Sequence, residues 1–201
     1  MGHKFTEIGF TPGVKALQAL HGSRTRYAAF EARDDYNGEL TSREVSFIAE
    51  RDSFYMASVS ETGWPYVQHR GGPRGFMKVL DARTIGFANY AGNRQYMSTG
   101  NVMADDRVSL FFMDYPNRRR LKMFGRVEII GRDRPDVLRR LEDPAYPAQV
   151  EGAFLVTVEG FDWNCPQHIT PRFTADEVEH QLESLRRENR ELLSKVGMRP
   201  R

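Results

Sequence analysis

The sequence predicts a mainly β protein: an antiparallel barrel of about six short strands, flanked by helices at both ends. Three observations lead there. Between Ser53 and Trp163, short apolar and aromatic runs recur at close spacing, broken by tight turns such as "ETG", "DART" and "PNRRR". Turns that short join antiparallel neighbours, whereas a parallel sheet needs crossovers of about a dozen residues. The 13 Phe and 8 Tyr favour substantial β-structure.

The elements follow in order. Residues 11 to 33 form helix in two pieces. "TPGVKALQALHG" places Val14, Leu17 and Leu20 at helical spacing and stops at Gly22, and "SRTRYAAFEAR" begins at Ser23 as a cap. "DDYNGEL" is a loop. "TSREVSFIAERD" carries a capping box, Thr41 with Glu44 three residues on, and turns Val45 and Ile48 inward. The strands then run through "SFYMASV", "WPYVQHRGG", "GFMKVL", "TIGFANY", "RVSLFFMDY", "LKMFGRVEIIG" and "GAFLVTVEGFDW". Gly125, inside the long basic strand, marks a bulge. "GNRQYMSTGNVMADD" is a short helix with Asn93 near its start, and "RPDVLRRLED" is a helix with Pro135 in its first turn. In the tail, Val178, Leu182, Leu185, Asn189, Leu192 and Val196 alternate by four and three, a heptad seam. It serves either a paired coil, with Asn189 setting its register, or an amphipathic helix laid on its own barrel.

Totals limit the function. A chain of 201 residues suits one domain with appendages or two small ones. A net charge of +2 argues for neither nucleic acid nor membrane. The single cysteine, Cys165, excludes an intrachain disulfide and a cysteine-rich zinc site, and fits a reducing cytoplasm. The five histidines show no metal-ligand spacing, so no metal is expected. No apolar run approaches the roughly 20 residues that cross a bilayer.

Four stretches carry candidate chemistry. "HRGGPRGF", residues 69 to 76, combines three glycines with Arg70 and Arg74. Alone it reads first as a flexible hairpin with solvated arginines; arginine also binds phosphate in a bidentate fork. "NYAGNRQY", residues 89 to 96, ends a strand and opens a helix, where backbone N–H groups favour an anion and Arg94 and Gln95 add donors. Two such elements after neighbouring strands make a phosphate ligand more plausible than either alone. "RRRLK" enters a strand with Arg120 and Lys122 on one face. "FDWNCPQHITPRF" gathers Trp163, Gln167, His168 and Arg172. There, Trp163 suits a flat ring and Gln167 its polar edge. A Cys165–His168 nucleophile lacks a third partner.

Set in order, "ASVSETGWPYVQHR", "TIGFANYAGNRQYMSTGNVMADDRVSLFFMDY" and "RRRLKMFGRVEII" resemble the pyridoxamine 5′-phosphate oxidase-like, FMN-binding split-barrel proteins, over roughly residues 45 to 165. The resemblance implies a homodimer with two FMN molecules in clefts at the subunit interface. It implies Arg94 and Gln95 at the phosphate, with Arg70 or Arg74, His69 and Lys78 from the preceding element. Asn89 and Tyr90, with Asn93, match the contacts at the strand end. Arg120 matches a family glutamine that reaches the cofactor, and Trp163 and Gln167 match the ring contact near the C-terminus. Two family features are missing. "DWNCPQHITPRF" replaces the substrate-binding C-terminal segment of the true oxidase, and "RPDVLRRLEDPAYPAQ" lacks its phosphate-gripping Tyr, Arg and Ser set. Flavin is therefore better supported than pyridoxamine phosphate as substrate.

The expectation is a six-stranded antiparallel split β-barrel with a C-terminal helix. Residues 1–44 form a helical segment packed on the barrel, 45–173 the FMN-binding domain, and 174–201 an amphipathic helix. The function expected is that of a cytoplasmic, homodimeric, FMN-dependent oxidoreductase acting on a small molecule or a nicotinamide nucleotide. The alternatives are a flavin sensor or carrier, or a barrel using deazaflavin or haem. No nucleic-acid or membrane partner is expected, and no catalytic residue is assigned.

Overall fold

The computed structural model describes residues 3–33, 36–163 and 166–195. These fall into two units: Met1–Met113 with Arg119–Cys165, and Asp114–Arg118 with Pro166–Arg201.

The first unit opens with three helices, α1 (Lys4–Gly9), α2 (Pro12–Leu20) and α3 (Arg24–Glu31), followed by α4 (Ser42–Ala49). The sequence pattern does not predict α1. Its Phe5 stacks on Phe124 at 4.7 Å. The capping box at Thr41 forms, with the Thr41 backbone N–H donating to Glu44 Oε2 at 3.0 Å. Helix α4 buries Glu44, Phe47 and Ile48, one stripe at helical spacing. Val45 lies beside that stripe and is 37% exposed, so its expected inward placement is corrected.

Seven strands form one sheet, β1 (Ser53–Val59), β2 (Pro65–Gly71), β3 (Lys78–Val79), β4 (Thr84–Tyr90), β5 (Arg107–Asp114), β6 (Arg119–Ile130) and β7 (Val150–Trp163), with α5 (Met97–Ala104) and α6 (Pro135–Leu141) between them. The order is β2-β1-β5-β6-β7-β4-β3. The β1–β2, β1–β5, β3–β4, β4–β7 and β6–β7 ladders are antiparallel. The count is seven rather than about six: each of the seven runs named above forms a strand, and the one within "GFMKVL" shrinks to Lys78–Val79, a short edge strand paired with Gly86 and Ile85.

The sheet cannot be flat. Strands β1 and β4 stand four spacings apart in the order, about 19 Å in a flat sheet. Yet the ring of Phe54 on β1 meets that of Phe87 on β4 at 5.1 Å. Phe54 also stacks on Phe76 and Phe112, and Phe87 on Phe154. These rings fill the inside of the curl, with Met56, Leu110, Leu121, Met123, Val156 and Val158 around them. A smaller cluster seats Val137, Leu138 and Leu141 of α6 against Ile130 and Ala153.

Gly125 marks a bulge, as its position in the strand predicts: the β6–β7 register shifts between Phe124 and Gly125. A Cβ there would lie 2.6 Å from Val156 Cγ1 and 2.8 Å from the carbonyl oxygen of Thr157. In the second unit, Asp114 accepts from the backbone N–H of Asn117 at 3.1 Å and closes the basic turn. The last helix, α7 (Ala175–Lys195), starts with a reciprocal cap between Thr174 and Glu177. No helix among the described residues is long and apolar enough to cross a membrane.

Gly125→Ala is expected to lower folding stability by about 1–3 kcal/mol, because one of its clashes is with fixed backbone. A urea titration checks this, and the wild-type midpoint in the variant would disprove the close approach.

Candidate functional site

Alternation along β2 decides which of its side chains can meet a ligand. Tyr66, Gln68 and Arg70 point to the inner face, in register with Ser58, Met56 and Phe54 of β1. These three residues form one wall of an open cleft of about 240 Å³. The end of β4 supplies Asn89 and Tyr90. The turn after it supplies Gly92, Asn93, Arg94, Gln95 and Tyr96, α5 supplies Ser98 and Thr99, and β7 supplies Glu151.

Arg70 is the centre of the cleft. Its Nη1 donates to Asn89 Oδ1 at 2.9 Å, and its guanidinium lies 5.0 Å from the ring centre of Phe154 and 5.8 Å from that of Phe87. Its Nε is buried and has no hydrogen-bond partner, and it pairs with no carboxylate among the described residues. Burial pulls its pKa below the ordinary value. A guanidinium in a protein nevertheless keeps its charge. Tyr90 Oη is a second buried group without a partner. Burial first, then the nearby Asp143, Tyr146 and Glu142, raise its pKa and keep it a protonated donor. A buried cation and a buried hydroxyl, both lining one cleft and both short of acceptors, suit an anionic ligand rich in oxygen.

The turn between β4 and α5 is locally strained. Arg94 (φ 60°) and Tyr96 (φ 53°) are both left-handed, a conformation that bulky side chains rarely adopt. This corrects the expected helix start at Asn93. Two left-handed residues break the helical path, so α5 begins at Met97, and Asn93 Oδ1 instead accepts from the Gln95 N–H at 3.1 Å. The helix is tied in place by Ser98 donating to Gln68 and by Asn101 donating to Ser58 Oγ at 3.0 Å. Tyr96 Oη reaches Glu151 at 3.4 Å.

Of the residues singled out from the sequence, Arg70, Asn89, Tyr90, Asn93, Arg94 and Gln95 line this cleft. The others lie elsewhere. His69 is on the opposite face of β2, its ring 5.6 Å from Tyr55. Arg74 is exposed on the loop, and Lys78 sits half-buried on β3 opposite Gly86. The glycines of "HRGGPRGF" serve chain packing. Gly75 is left-handed at φ 76°, and a Cβ on it would lie 2.9 Å from the carbonyl oxygen of Ala49. Arg120 is half-buried on β6, outside the cleft lining. Trp163 lines a different cavity, of about 580 Å³, with His3, Phe30 and Tyr36. Its indole N–H donates to Glu44 Oε1 at 2.6 Å, and Arg43 lies 4.3 Å from its ring centre. Gln167 is exposed in the second unit, and Cys165 lies outside the described residues. Among the described residues no cluster of His, Cys, Asp or Glu could hold a metal ion.

Sequence reasoning missed Tyr66, Gln68, Tyr96, Ser98, Thr99 and Glu151. Counting back by twos from Arg70 finds the first two. Glu151 has no local signal, because long-range pairing of β4 with β7 brings it there.

The family model for pyridoxamine 5′-phosphate oxidase matches residues 40–150. No curated protein matches the chain. Solved structures similar to it include an FMN-binding protein from Syntrophomonas wolfei subsp. wolfei, at 12% identity over 73% of this chain and 97% of that one, with a TM-score of 0.48. Another is a Clostridium acetobutylicum protein of the pyridoxinephosphate oxidase family, related to general stress protein 26 of B. subtilis (15% identity, 66% and 92% covered, TM-score 0.45). A third is HupZ from Group A Streptococcus (13% identity, 67% and 100% covered, TM-score 0.46).

Arg70→Met keeps the packing on Phe87 and Phe154 and removes a buried charge that has no counter-ion. The ligand-free variant is expected to be as stable as the wild type or about 1 kcal/mol more stable. A urea midpoint well below the wild type would mean that Arg70 already has its counter-charge.

Proposed function

The chain belongs to the pyridoxamine 5′-phosphate oxidase family, and from that premise we propose that it is an FMN-binding oxidoreductase whose cleft between β2 and α5 holds the phosphate end of the cofactor. The observation that carries the reading is the pair of orphaned donors, Arg70 Nε and Tyr90 Oη, buried in the lining of one cleft. A phosphate offers oxygens enough to take both and charge enough to answer Arg70 and Arg94. In this reading Asn89 orients the Arg70 guanidinium by its hydrogen bond. Arg94 and Gln95, on the strained turn, close over the phosphate from the solvent side. Gln68 holds Ser98, and with it the start of α5, in place. FMN, when bound, would supply two-electron redox chemistry, with a small substrate or nicotinamide nucleotide as hydride donor and oxygen or another oxidant as acceptor.

A homodimer belongs to the same proposal. Tyr55, Val59 and Val67 leave an apolar outer face on β1 and β2 exposed, and Trp64, in the turn between them, is 77% exposed. A neighbouring apolar hollow of about 500 Å³ is lined by Ile8, Val59, Pro65, Val108 and Phe124. A second copy is the occupant we assign to this face, and a reducing cytoplasm is the compartment we assign to the chain.

The direct test is the visible spectrum of the purified full chain after FMN is added and excess washed away. Two flavin bands stoichiometric with the chain are expected. A colourless protein overturns the reading, and a haem Soret band or a deazaflavin spectrum replaces the cofactor. Arg94→Ala is expected to weaken FMN at least tenfold, since a charge-assisted contact is worth on the order of 1.5–3 kcal/mol. Unchanged affinity removes Arg94 from the site. The pH dependence has a definite sign. The second phosphate proton binds near about pH 6, a range in which guanidinium side chains do not titrate. Affinity therefore falls as pH drops through that value, and fluorescence titration on either side of it reads the change.

A further inference from the structure

Helix α7 runs for 21 residues and buries none of them. Its seam is bare: Val178 is 42% exposed, Leu182 38%, Leu185 60% and Leu192 53%. With Leu182 and Asn189 at heptad position a, Val178, Leu185 and Leu192 fall at d. We propose that α7 pairs with α7 of a second copy of this chain as a parallel, in-register two-stranded coil.

The charges and Asn189 choose the orientation. In the parallel, in-register arrangement the flanking positions place Gln181 against Arg186 of the second copy, and Glu188 against Leu193. No like charges meet there. Asn189 faces Asn189, where two amides can hydrogen-bond and where a one-heptad slip would set one amide against Leu182 and the other against position 196, a valine in the sequence. An antiparallel pair that sets Asn189 against Leu185 brings Arg186 to Arg186 and Glu188 to Glu188, both repulsive, and leaves residues 175–178 of α7 without a facing turn. Shifting that pair by one heptad sets Glu179 opposite Arg186, which is attractive, but buries Asn189 opposite Val178 with no amide partner and leaves residues 193–195 unpartnered. Only the parallel pair satisfies both the amide and the charges. Within each helix, Arg186 already donates to Glu179 at 2.7 Å and holds the edge of the seam.

The pairing is tested in the full chain with one added thiol at a time. Leu192→Cys puts the thiol on the seam, and Ser184→Cys puts it on the outer face at position c. The unmutated chain, whose one thiol is Cys165, sets the background. Under mild oxidation, Leu192→Cys is expected to form interchain disulfides at least tenfold faster than Ser184→Cys, because a disulfide needs Cα atoms within about 7 Å. Equal rates overturn the coil. A mixture of Leu182→Cys and Leu192→Cys chains that cross-links faster than Leu192→Cys alone overturns the parallel orientation. The readout involves no flavin, so failure here leaves the cofactor proposal standing, and a colourless protein leaves this one standing.

Discussion

Arg70 joins the two ends of a curled sheet. Strand β2 is one edge, and β4 lies five strand spacings away in the hydrogen-bonding order, about 24 Å if the sheet were flat. A single hydrogen bond from Arg70 to Asn89 spans that gap because the aromatic core has already bent the sheet. Phe54, Phe87 and Phe154 set the curvature, and the guanidinium rests on two of those rings. The cleft is therefore a by-product of closure: where the inner faces of β2 and β4 converge, polar side chains replace aromatic ones.

The second wall depends on anchoring rather than on propensity. Residues 91–97 are exposed and include two left-handed positions, so little in the turn itself holds its shape. Below it, the bonds from Ser98 to Gln68 and from Asn101 to Ser58 are buried or partly buried, and both pin α5 to the β1–β2 hairpin. The hairpin that carries Arg70 thus also positions the turn that carries Arg94.

Much of this was legible in the sequence, for reasons that differ by element. The capping box at Thr41, the bulge at Gly125 and Pro135 at the head of α6 are local chemistry, and each appears where the sequence places it. The site was half legible. Arg70, Asn89, Tyr90 and Arg94 stand near strand ends, and a strand end is a local feature. His69 and Arg74 are as plausible from sequence as Arg70 as donors to an anion, and only the alternation of β2 and the loop after it separate them. Trp163 shows the opposite limit. Its aromatic, amide-rich surroundings suggest a ligand contact, whereas its indole N–H satisfies Glu44, a partner 119 residues away in the chain. Arg94 and Tyr96 carry no sequence mark of their left-handed backbone, because neither is glycine or asparagine.

The unpaired charge at Arg70 also bears on how long the chain survives in a cell. An anion that binds there binds the native chain and has no such site on the unfolded one, so the unfolded fraction shrinks as that anion becomes more abundant. Proteases remove chains mainly while they are unfolded, and a difference of about 1–2 kcal/mol is enough to change abundance several-fold. The steady-state amount of this protein would then follow the supply of its ligand, with no dedicated sensor beyond one guanidinium resting on a pair of stacked phenylalanine rings.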